Sequence, residues 1–375
     1  MTQRILVDLL GYTGTRGGTE TYAREILARL PEALPHVDFV GLTGSAGAAD
    51  VGGFFPGELR VIPWVGDDKY SWAASEVARA EAVARRSGAA AMWTPANFGP
   101  IRRGVARAVT IHDVIYDEVP GGPADRAARA VTAWLMRRSA LSADAVITVS
   151  QAAADAIARH IGIPRDELHV IPNGSTPPPS DRPDPSALDG LAIDQARPLV
   201  LSTGNRMPHK NFEGLLRAIA TLPRGSRPFT VITGGRDDDP LASTVSRLGL
   251  ESDVLLTGWI DAPVLEALYQ RAAVYACPST AEGFGLPVVD ALRRGCAVVA
   301  NDIPVLREVG GDAVRYADAT DPAAFGATIA AMLADPHRSA GADEGRAWAE
   351  RFTWDATAGG VADVLAGLLG RTSRA

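Results

Sequence analysis

The sequence predicts an α/β protein built from two doubly wound parallel-sheet domains. Short apolar runs alternate with longer helical patterns along the chain, which is the rhythm of strands linked by helices. A proline-rich stretch interrupts this rhythm near the middle. The length of 375 residues also exceeds what one ordinary core organises, so two domains are expected.

The first half contains seven strand-like runs. They are apolar on both faces, as parallel strands covered by helices require. The runs are residues 5–10, 38–43, 59–64, 91–94, 106–111, 145–149 and 169–171, and helical patterns occupy residues 19–30, 72–86, 124–141 and 151–160. This succession predicts a first domain over residues 1–180.

Residues 175–198 differ in composition, with five prolines between Pro177 and Pro185. Proline has no amide donor and a fixed backbone angle, so this stretch is neither a central strand nor a helix interior. We interpret it as an interdomain linker. The alternation then resumes and predicts a second domain over residues 195–354, with strands at 199–203, 229–233, 254–256, 274–277, 297–300 and 313–316.

Composition excludes several classes of protein. Hydrophobic residues make up 46% and charged residues 22%, which is typical of a globular chain, and the net charge of −7 disfavours nucleic acid as a partner. No apolar run approaches the roughly 18 residues of a membrane span, and a strand-like run begins at once, so we expect a cytoplasmic protein without a secretory signal. Cys277 and Cys296 adjoin apolar runs and are expected to be buried thiols.

Ligands of doubly wound sheets bind beyond the carboxyl ends of the strands, so the loops there carry the chemistry. The loop at residues 11–20 is rich in glycine and opens a helix, where free amides and a close backbone approach suit a phosphate. A turn without a ligand is the alternative. A dinucleotide turn is another, although the acidic residue that it needs has only Asp38 as a candidate.

Three further loops hold candidate side chains. His112 ends an apolar strand and either contacts a sugar hydroxyl or has a structural role. Arg206 and Lys210 place two cations in one loop of an acidic protein, which favours a phosphate ligand. Glu282 and Asp290 bracket a glycine-rich turn and the start of a helix whose free amides suit an anion.

These segments together resemble glycosyltransferase family 4, whose members are retaining enzymes of GT-B fold. The sequence E-G-F-G-L-P-V-V-D at 282–290 is similar to the E-x7-E signature of the family, and R-M-P-H-K-N at 206–211 resembles its diphosphate loop. Weaker segments follow in family order over nearly the whole chain: G-G at 17–18, T-I-H-D at 110–113, T-V-S-Q at 148–151, I-P-N-G at 171–174 and T-G-W-I-D at 257–261.

The resemblance implies two Rossmann-like domains facing a cleft, with a C-terminal helix, 355–375, that returns to the first domain. It also implies a nucleotide-sugar donor, with UDP favoured, and no cofactor or metal. Catalytic roles would fall to His112, Arg206, Lys210 and Glu282. Donor-binding residues would be Gly17, Gly18, Gly204, Arg206, Lys210, Gly258, Glu282, Gly283, Phe284, Gly285, Leu286 and Asp290. Asp290 departs from the usual Glu and is one methylene shorter, which bears on its ribose contact.

The acceptor is less well specified. We expect its site in first-domain loops at 65–72, 93–103 and 117–125, with Trp93, Asn97, Phe98 and Tyr116 as contacts. A small polar acceptor of natural-product biosynthesis is one hypothesis, and a cell-envelope or lipid-linked glycan is the other. The basic stretch 124–141 would serve the second, although its Val131, Trp134 and Leu135 also have the spacing of core residues.

Two other enzyme classes are less well supported. Asp237-Asp238-Asp239 forms a D-x-D, which binds a divalent cation in GT-A glycosyltransferases, but an exposed acidic loop explains it equally simply. An NAD-dependent nucleotide-sugar epimerase or dehydrogenase would use the glycine turn. Such enzymes commonly need a Tyr-x-x-x-Lys pair, and none of the seven tyrosines has a lysine four residues later.

Overall fold

A computed structural model describes residues 3–14, 17–118, 126–181, 184–236 and 238–372. It divides into two compact units: unit 1 ends at Gly174 and resumes at Thr353, and unit 2 runs over Ser175–Phe352. The segment between Ser175 and the 3-10 turn Pro185–Leu188 contains no helix or strand among its described residues. No helix within the described ranges is long and apolar enough to cross a membrane.

The described part of unit 1 contains a seven-stranded parallel sheet. Its order is β3-β2-β1-β4-β5-β6-β7. The strands are β1 Gln3–Leu9, β2 Val37–Gly44, β3 Glu58–Ile62, β4 Ala91–Thr94, β5 Ala106–Ile111, β6 Ala145–Thr148 and β7 Leu168–Val170. All seven predicted strands are confirmed within one or two residues at each end, because buried apolar runs leave little ambiguity.

Helices cover both faces of this sheet. They are α1 Gly18–Leu27, α2 Leu30–Ala33, α3 Ala48–Gly52, α4 Lys69–Ser75, α5 Glu81–Arg86, α6 Ile115–Glu118, α7 Arg126–Ser142 and α8 Gln151–His160, with α16 Trp354–Thr372 from the end of the chain. Between α4 and α5 lies a single π-helical turn, Glu76–Ala80. Asp355 of α16 pairs with Arg29 at 2.6 Å, and Thr357 bonds the Pro172 carbonyl, which anchors α16 to unit 1.

Unit 2 contains a six-stranded parallel sheet in the order β10-β9-β8-β11-β12-β13. Its strands are β8 Leu199–Thr203, β9 Phe229–Thr233, β10 Val254–Gly258, β11 Ala272–Cys277, β12 Ala297–Asn301 and β13 Val314–Ala317. The helices are α9 Phe212–Thr221, α10 Ala242–Leu248, α11 Ala262–Arg271, α12 Leu286–Arg293, α13 Pro304–Gly310, α14 Pro322–Ala334 and α15 Arg338–Ala349. The six predicted strands are confirmed.

Both sheets reverse their strand order at one place. In unit 1 the reversal lies between β1 and β4, and in unit 2 between β8 and β11. Crossovers leave these adjacent strands toward opposite faces, which opens a crevice at their carboxyl ends. The two doubly wound domains predicted from the sequence are therefore confirmed, and each has one preferred place for a ligand.

Two sequence-based expectations about side chains have different outcomes. Cys277 and Cys296 are free and buried as expected, and burial raises the pKa of Cys277 to about 11 and that of Cys296 to about 12. The core spacing read in α7 holds for Leu135 but is wrong for Val131 and Trp134, which are 58% and 52% exposed. Residues 124 and 125 of the predicted helix lie outside the described residues.

Candidate active site

The crevice of unit 2 carries a buried ion pair. The loop after β8 brings Lys210, and the loop after β11 brings Glu282, so that Lys210 Nζ lies 2.7 Å from Glu282 Oε1. Their side chains are only 15% and 10% exposed. At this burial a charge is stable only with a partner, so each group fixes the position of the other.

The two loops are also joined through their backbones. The Thr280 N–H donates to the His209 carbonyl at 2.7 Å. Asn211 adopts the left-handed conformation, with φ 50°, and its side-chain amide donates to the carbonyls of Pro278 and Ala319. These bonds hold the short turn Pro208–Lys210 against the loop after β11. The pKa of His209 is lowered by burial and by the neighbouring Lys210 charge.

Arg206 is engaged within the protein. Its Nε and Nη2 form a fork on the carboxylate of Asp239, at 2.9 and 2.7 Å. Its Nη1 donates to the carbonyls of Gly204 and Thr233, and Nη2 also reaches the Ile232 carbonyl at 3.3 Å. Since a guanidinium has five N–H donors, this set of partners uses all of them. In this arrangement the protein itself occupies every N–H of Arg206, and the predicted contact with a diphosphate stays a prediction.

The interpretation of Asp237-Asp238-Asp239 also changes, because Asp239 is bonded to Arg206. Asp237 lies outside the described residues. Asp239 is 7% exposed and bonded to Arg206, so the expectation of an exposed acidic loop is wrong for it. Its carboxylate also accepts the Leu241 N–H. Across the ranges that the structure describes, no group of three or more His, Cys, Asp or Glu side chains forms a metal-binding cluster.

Asp290 lies one turn into α12 and is bonded to the segment that enters unit 2. Its Oδ1 accepts the Ser175 hydroxyl at 2.5 Å. Arg293 of the same helix donates to the carbonyls of Ser175 and Phe352, and the Ser175 N–H donates to Phe352. Burial raises the pKa of Asp290, and the Ser175 bond and the charge of Arg294 oppose that shift. Through Asp290 and Arg293, α12 is thus bonded to Ser175 and Phe352, the first and last residues of unit 2.

The glycine-rich turn before α12 directs backbone amides at the same crevice. Gly285 is the N-cap of α12 in the left-handed conformation, with φ 93°, and a Cβ there would lie 2.8 Å from Leu306. Leu286 opens the helix, and Phe284 is buried against Phe352 with ring centroids 5.5 Å apart. A single conformation of the turn results, which fixes the free amides of the first helical turn.

The remaining glycines predicted to bind donor occupy separate positions. In unit 2, Gly204 and Gly258 follow β8 and end β10, both with positive φ. Gly283 precedes the buried Phe284. In unit 1, Gly17 is the N-cap of α1 with φ 70°, and Gly18 opens that helix. Residues 15 and 16 of the same loop lie outside the described residues.

The crevice of unit 1 contains a cavity of about 230 Å³. It lies at the β1–β4 reversal, and its described wall comes from both strand ends, α1 and the α4–π-turn segment. The lining residues are Asp8, Leu9, Gly11, Tyr12, Thr19, Glu20, Ala23, Trp72, Glu76, Thr94, Pro95, Ala96, Asn97 and Tyr116. Sequence analysis missed Asp8 and Glu76, and it included Glu20 and Trp72 only as the last residues of the candidate loops 11–20 and 65–72. A carboxylate inside the apolar run of β1 was the signal for Asp8.

The four expected acceptor contacts divide into two pairs. Asn97 and Tyr116 line the cavity. Trp93 has no exposed surface; it lies in the core, donates from Nε1 to Thr110 at 3.1 Å, and cannot contact a ligand. Phe98 is also buried and stacks under Trp72 at 4.4 Å. The expectation is therefore wrong for Trp93 and Phe98, because both side chains point into the core.

His112 lies beneath the cavity wall. Its ring Nε2 donates to the Pro95 carbonyl at 2.7 Å, and its backbone N–H donates to Asn97 Oδ1 at 2.7 Å. Tyr22 packs edge-on against the ring at 4.7 Å. Burial lowers the pKa of His112 to about 4, so the ring is neutral near pH 7. Its two hydrogen bonds go to Pro95 and Asn97, which both line the cavity.

Comparison with known protein families gives one match in each half of the chain. A family model described as Glycosyltransferase Family 4 matches residues 16–176. A second, described as Glycosyl transferases group 1, matches residues 186–348. Together they cover most of the chain and meet near the start of unit 2.

Curated relatives match over part of their length. A D-inositol 3-phosphate glycosyltransferase of Xylanimonas cellulosilytica is 34% identical over 60% of this chain and 57% of its own. An O-antigen chain mannosyltransferase B of Escherichia coli is 32% identical over 57% of this chain and 58% of its own. The matched segment thus spans less than two thirds of either relative.

Solved structures match over nearly the whole chain. Sucrose-phosphate synthase from Thermosynechococcus elongatus has a TM-score of 0.79 at 20% identity and covers 98% of this chain and all of its own. Anabaena HepE in complex with UDP-glucose has a TM-score of 0.75 at 18% identity, with 98% and 100% coverage. At these identities the likeness concerns the fold.

Proposed function

Because this chain belongs to glycosyltransferase family 4, we propose that it moves a hexose from a nucleotide sugar to a hydroxyl of a small polar acceptor, with retention at the anomeric carbon. The fold is GT-B, as predicted from the sequence. We place the acceptor in natural-product biosynthesis. One observation carries the proposal: the buried Lys210–Glu282 pair lies at the β8–β11 reversal, beside the N-terminus of α12.

The chemistry follows from charge. Departure of the nucleoside diphosphate builds negative charge on its phosphate oxygens, and Lys210 with the free amides of α12 would stabilise it. Glu282 would hold a hydroxyl of the transferred sugar. In a retaining reaction the acceptor attacks from the leaving-group face, and a donor phosphate oxygen takes its proton. His112, neutral and bonded to Pro95, is then a positioning residue.

The diphosphate role of Arg206 is revised in this proposal. Its five donors hold Asp239 and three carbonyls, so we assign it the task of shaping the loop after β8. Lys210 then carries the diphosphate contact. Asp290 would meet the ribose through the carboxylate that Ser175 orients.

UDP is the proposed nucleotide. HepE, which shares the fold, was solved with UDP-glucose, and this supports UDP. GDP and ADP are the competing nucleotides.

Thermal melts with UDP, GDP and ADP test the donor site. A ligand at about a hundred times its dissociation constant adds about 2.7 kcal/mol, which raises Tm by a few degrees. We expect UDP alone to do so, with or without a chelator, and Lys210→Ala to abolish the shift.

Arg227→Met is the matched control for that variant. Arg227 forms an equally buried pair with Asp253 at 3.1 Å, at the amino ends of the strands. The control should lower Tm and keep the UDP shift. A shift with NAD alone, or a UDP shift that Lys210→Ala leaves intact, would contradict the proposal. Inversion of the product anomer, read by NMR, would contradict the retaining mechanism.

Transfer to a lipid-linked glycan at a membrane surface is a second candidate. Val131, Trp134 and Leu141 of α7 are all exposed, and the exposed Arg137 and Arg138 lie on the same helix. Such helices bind anionic bilayers through apolar and basic side chains. Co-sedimentation with phosphatidylglycerol vesicles tests it. Trp134→Ser should reduce binding, while Trp259→Ser, at a still more exposed tryptophan of unit 2, should not. No binding to the vesicles would remove this candidate.

A further inference from the structure

The cavity of unit 1 contains two buried carboxyl groups in contact. Asp8 of β1 and Glu76 of the π turn are 2% and 1% exposed and hydrogen-bond each other, which requires a proton between them. Burial and the neighbouring acid raise the pKa of Glu76 well above its usual value, and burial raises that of Asp8. Two carboxyl groups this close share one proton because both cannot ionise together.

Each of these acids has an oxygen that no N–H or hydroxyl group of the described protein reaches, so the shared proton lies between these two oxygens. They are Asp8 Oδ2 and Glu76 Oε2. The other oxygens are used: Asp8 Oδ1 accepts the Leu10 N–H at 3.2 Å, and Glu76 Oε1 accepts Trp72 Nε1 at 2.8 Å. One shared proton is then the donor for two buried acceptors, and a ligand with several N–H donors would satisfy both of them better.

The charges around the pair are mostly negative. Arg107 of β5 is the cation that faces both acids, and its charge is shared with two further carboxylates, Glu81 and Asp144. Glu20 adds a third carboxylate to the described wall of the cavity. This wall therefore suits a cation and opposes an anion.

The rest of the wall suits a flat polar ring. Trp72 is held in place by Phe98 beneath it and by the Glu76 bond, and Gly11 lies close enough that a Cβ there would be 2.6 Å from the indole. Tyr12 and Asn97 add an aromatic face and an amide. A rigid aromatic surface beside carboxyl groups is a common way to bind a polyhydroxylated ring.

We propose that this cavity binds the acceptor and that the acceptor is an aminated polyol ring, an aminocyclitol or amino sugar. Its ammonium donates to Asp8 Oδ2 and Glu76 Oε2, and the proton that the acids shared is released to solvent. The inference rests on the proposed function only where it identifies the ligand of this cavity as the acceptor of the transfer. It separates this chain from the relative whose name contains inositol 3-phosphate, because a phosphate would meet carboxyl groups here.

Calorimetric titration of the whole chain without donor tests the inference. Three ring polyols serve as probes: 2-deoxystreptamine, myo-inositol and D-inositol 3-phosphate, which are cationic, neutral and anionic. We expect 2-deoxystreptamine to bind at least tenfold more tightly than myo-inositol, and the phosphate to bind most weakly. Titration in two buffers of different protonation enthalpy should show proton release for 2-deoxystreptamine alone.

Glu76→Gln keeps the Trp72 bond, offers its amide to Asp8 and removes the shared proton. It should lower 2-deoxystreptamine affinity at least tenfold and abolish proton release. Asp8→Asn should do the same if Glu76→Gln does not fold. Asp155→Asn, which removes an exposed carboxylate of α8, should change neither.

Failure of this inference and failure of the proposed function would give different results. Tighter binding of D-inositol 3-phosphate, or unchanged 2-deoxystreptamine affinity in a folded Glu76→Gln, would overturn the inference and leave the donor site standing. Probe binding as described without any nucleoside diphosphate shift would overturn the proposed transfer and leave the cavity as an amine site.

Discussion

The two sheets share one strand order over six strands, yet the buried acids at their reversals have different partners. In unit 2 each buried acid has a cation: Glu282 has Lys210, and Asp239 has Arg206. In unit 1 the buried acid Asp8 has another acid, Glu76, as its partner. The first arrangement is complete by itself and offers positive charge to an anion. The second has one shared proton for two carboxyl groups, and the proposed ammonium would supply further donors to them.

This difference shows why fold alone leaves substrate open. The β1–β4 and β8–β11 reversals are equivalent in topology, and both place loops beyond parallel strands. Only the side chains that the loops carry decide between phosphate and ammonium. A substitution in one crevice should therefore change ligand binding or stability in its own unit alone.

The largest effect is expected from Arg206 on stability. Arg206→Ala leaves the buried Asp239 carboxylate without a cation and should lower the free energy of unfolding by about 3–5 kcal/mol. Chemical denaturation measures it. Because Arg206 holds a loop in this account, Arg206→Lys should lose less UDP affinity than Lys210→Ala does. Equal losses would restore Arg206 as a diphosphate ligand.

Lys210 should affect catalysis instead. Lys210→Ala removes the charge proposed to face the leaving diphosphate and should lower kcat/KM about 100-fold to 1,000-fold, the usual range for one electrostatic donor. Initial rates of sugar transfer measure it, with Arg227→Met as the stability-matched control. A loss equal in both variants would mean that buried pairs of unit 2 act only through folding.

The sequence predicted the crevice of unit 2 better than that of unit 1, for a physical reason. Lys210, Glu282 and the α12 turn lie in two short segments whose glycines, prolines and charges are visible together. Asp8 and Glu76 are distant in sequence, and each lies inside a pattern that predicts strand or helix. Their proximity depends on the packing of α4 and the π turn onto β1.

Arg206 and Trp93 show a second limit of sequence reasoning. A cation in a loop after a strand suits a phosphate, but the guanidinium of Arg206 is bonded to Asp239, 33 residues later in the chain. Trp93 ends a strand in a region of candidate acceptor loops, yet its side chain points to the core and bonds Thr110. The strands were predictable because a short apolar run between turns is typical of a buried strand. The partner of a polar side chain was not, because several groups distant in sequence could bond it.

His112 should make unit 1 sensitive to acid. Its folded pKa of about 4 lies below the unfolded value of about 6.5. Its contribution to the free energy of unfolding is therefore complete above pH 6.5 and is lost as the pH falls toward 4. The shift corresponds to about 3 kcal/mol. His112→Gln keeps a donor for Pro95 and should remove this loss, as read from unfolding free energies at pH 7 and pH 4. The same loss in the variant would place the titrating group elsewhere.

Glu76 should have the opposite effect to His112 and lower the stability of unit 1 as the pH rises. Its folded pKa is raised, so its contribution is complete below the usual carboxyl pKa near 4.5 and is lost as pH rises through the folded value. One proton gives a slope of up to about 1.4 kcal/mol per pH unit in that window. Glu76→Gln should flatten the slope. Parallel slopes in wild type and Glu76→Gln would break the contrast between the two crevices.

The smallest effect is expected at the edge of the donor crevice. Ser175 holds one oxygen of Asp290, so Ser175→Ala removes a single hydrogen bond worth about 1 kcal/mol and should weaken UDP binding roughly fivefold. Pyrophosphate has no ribose, and its affinity for the variant should stay unchanged. An equal loss for both ligands would mean that Ser175 shapes the diphosphate loops, and Asp290 would then have no separate part in ribose binding.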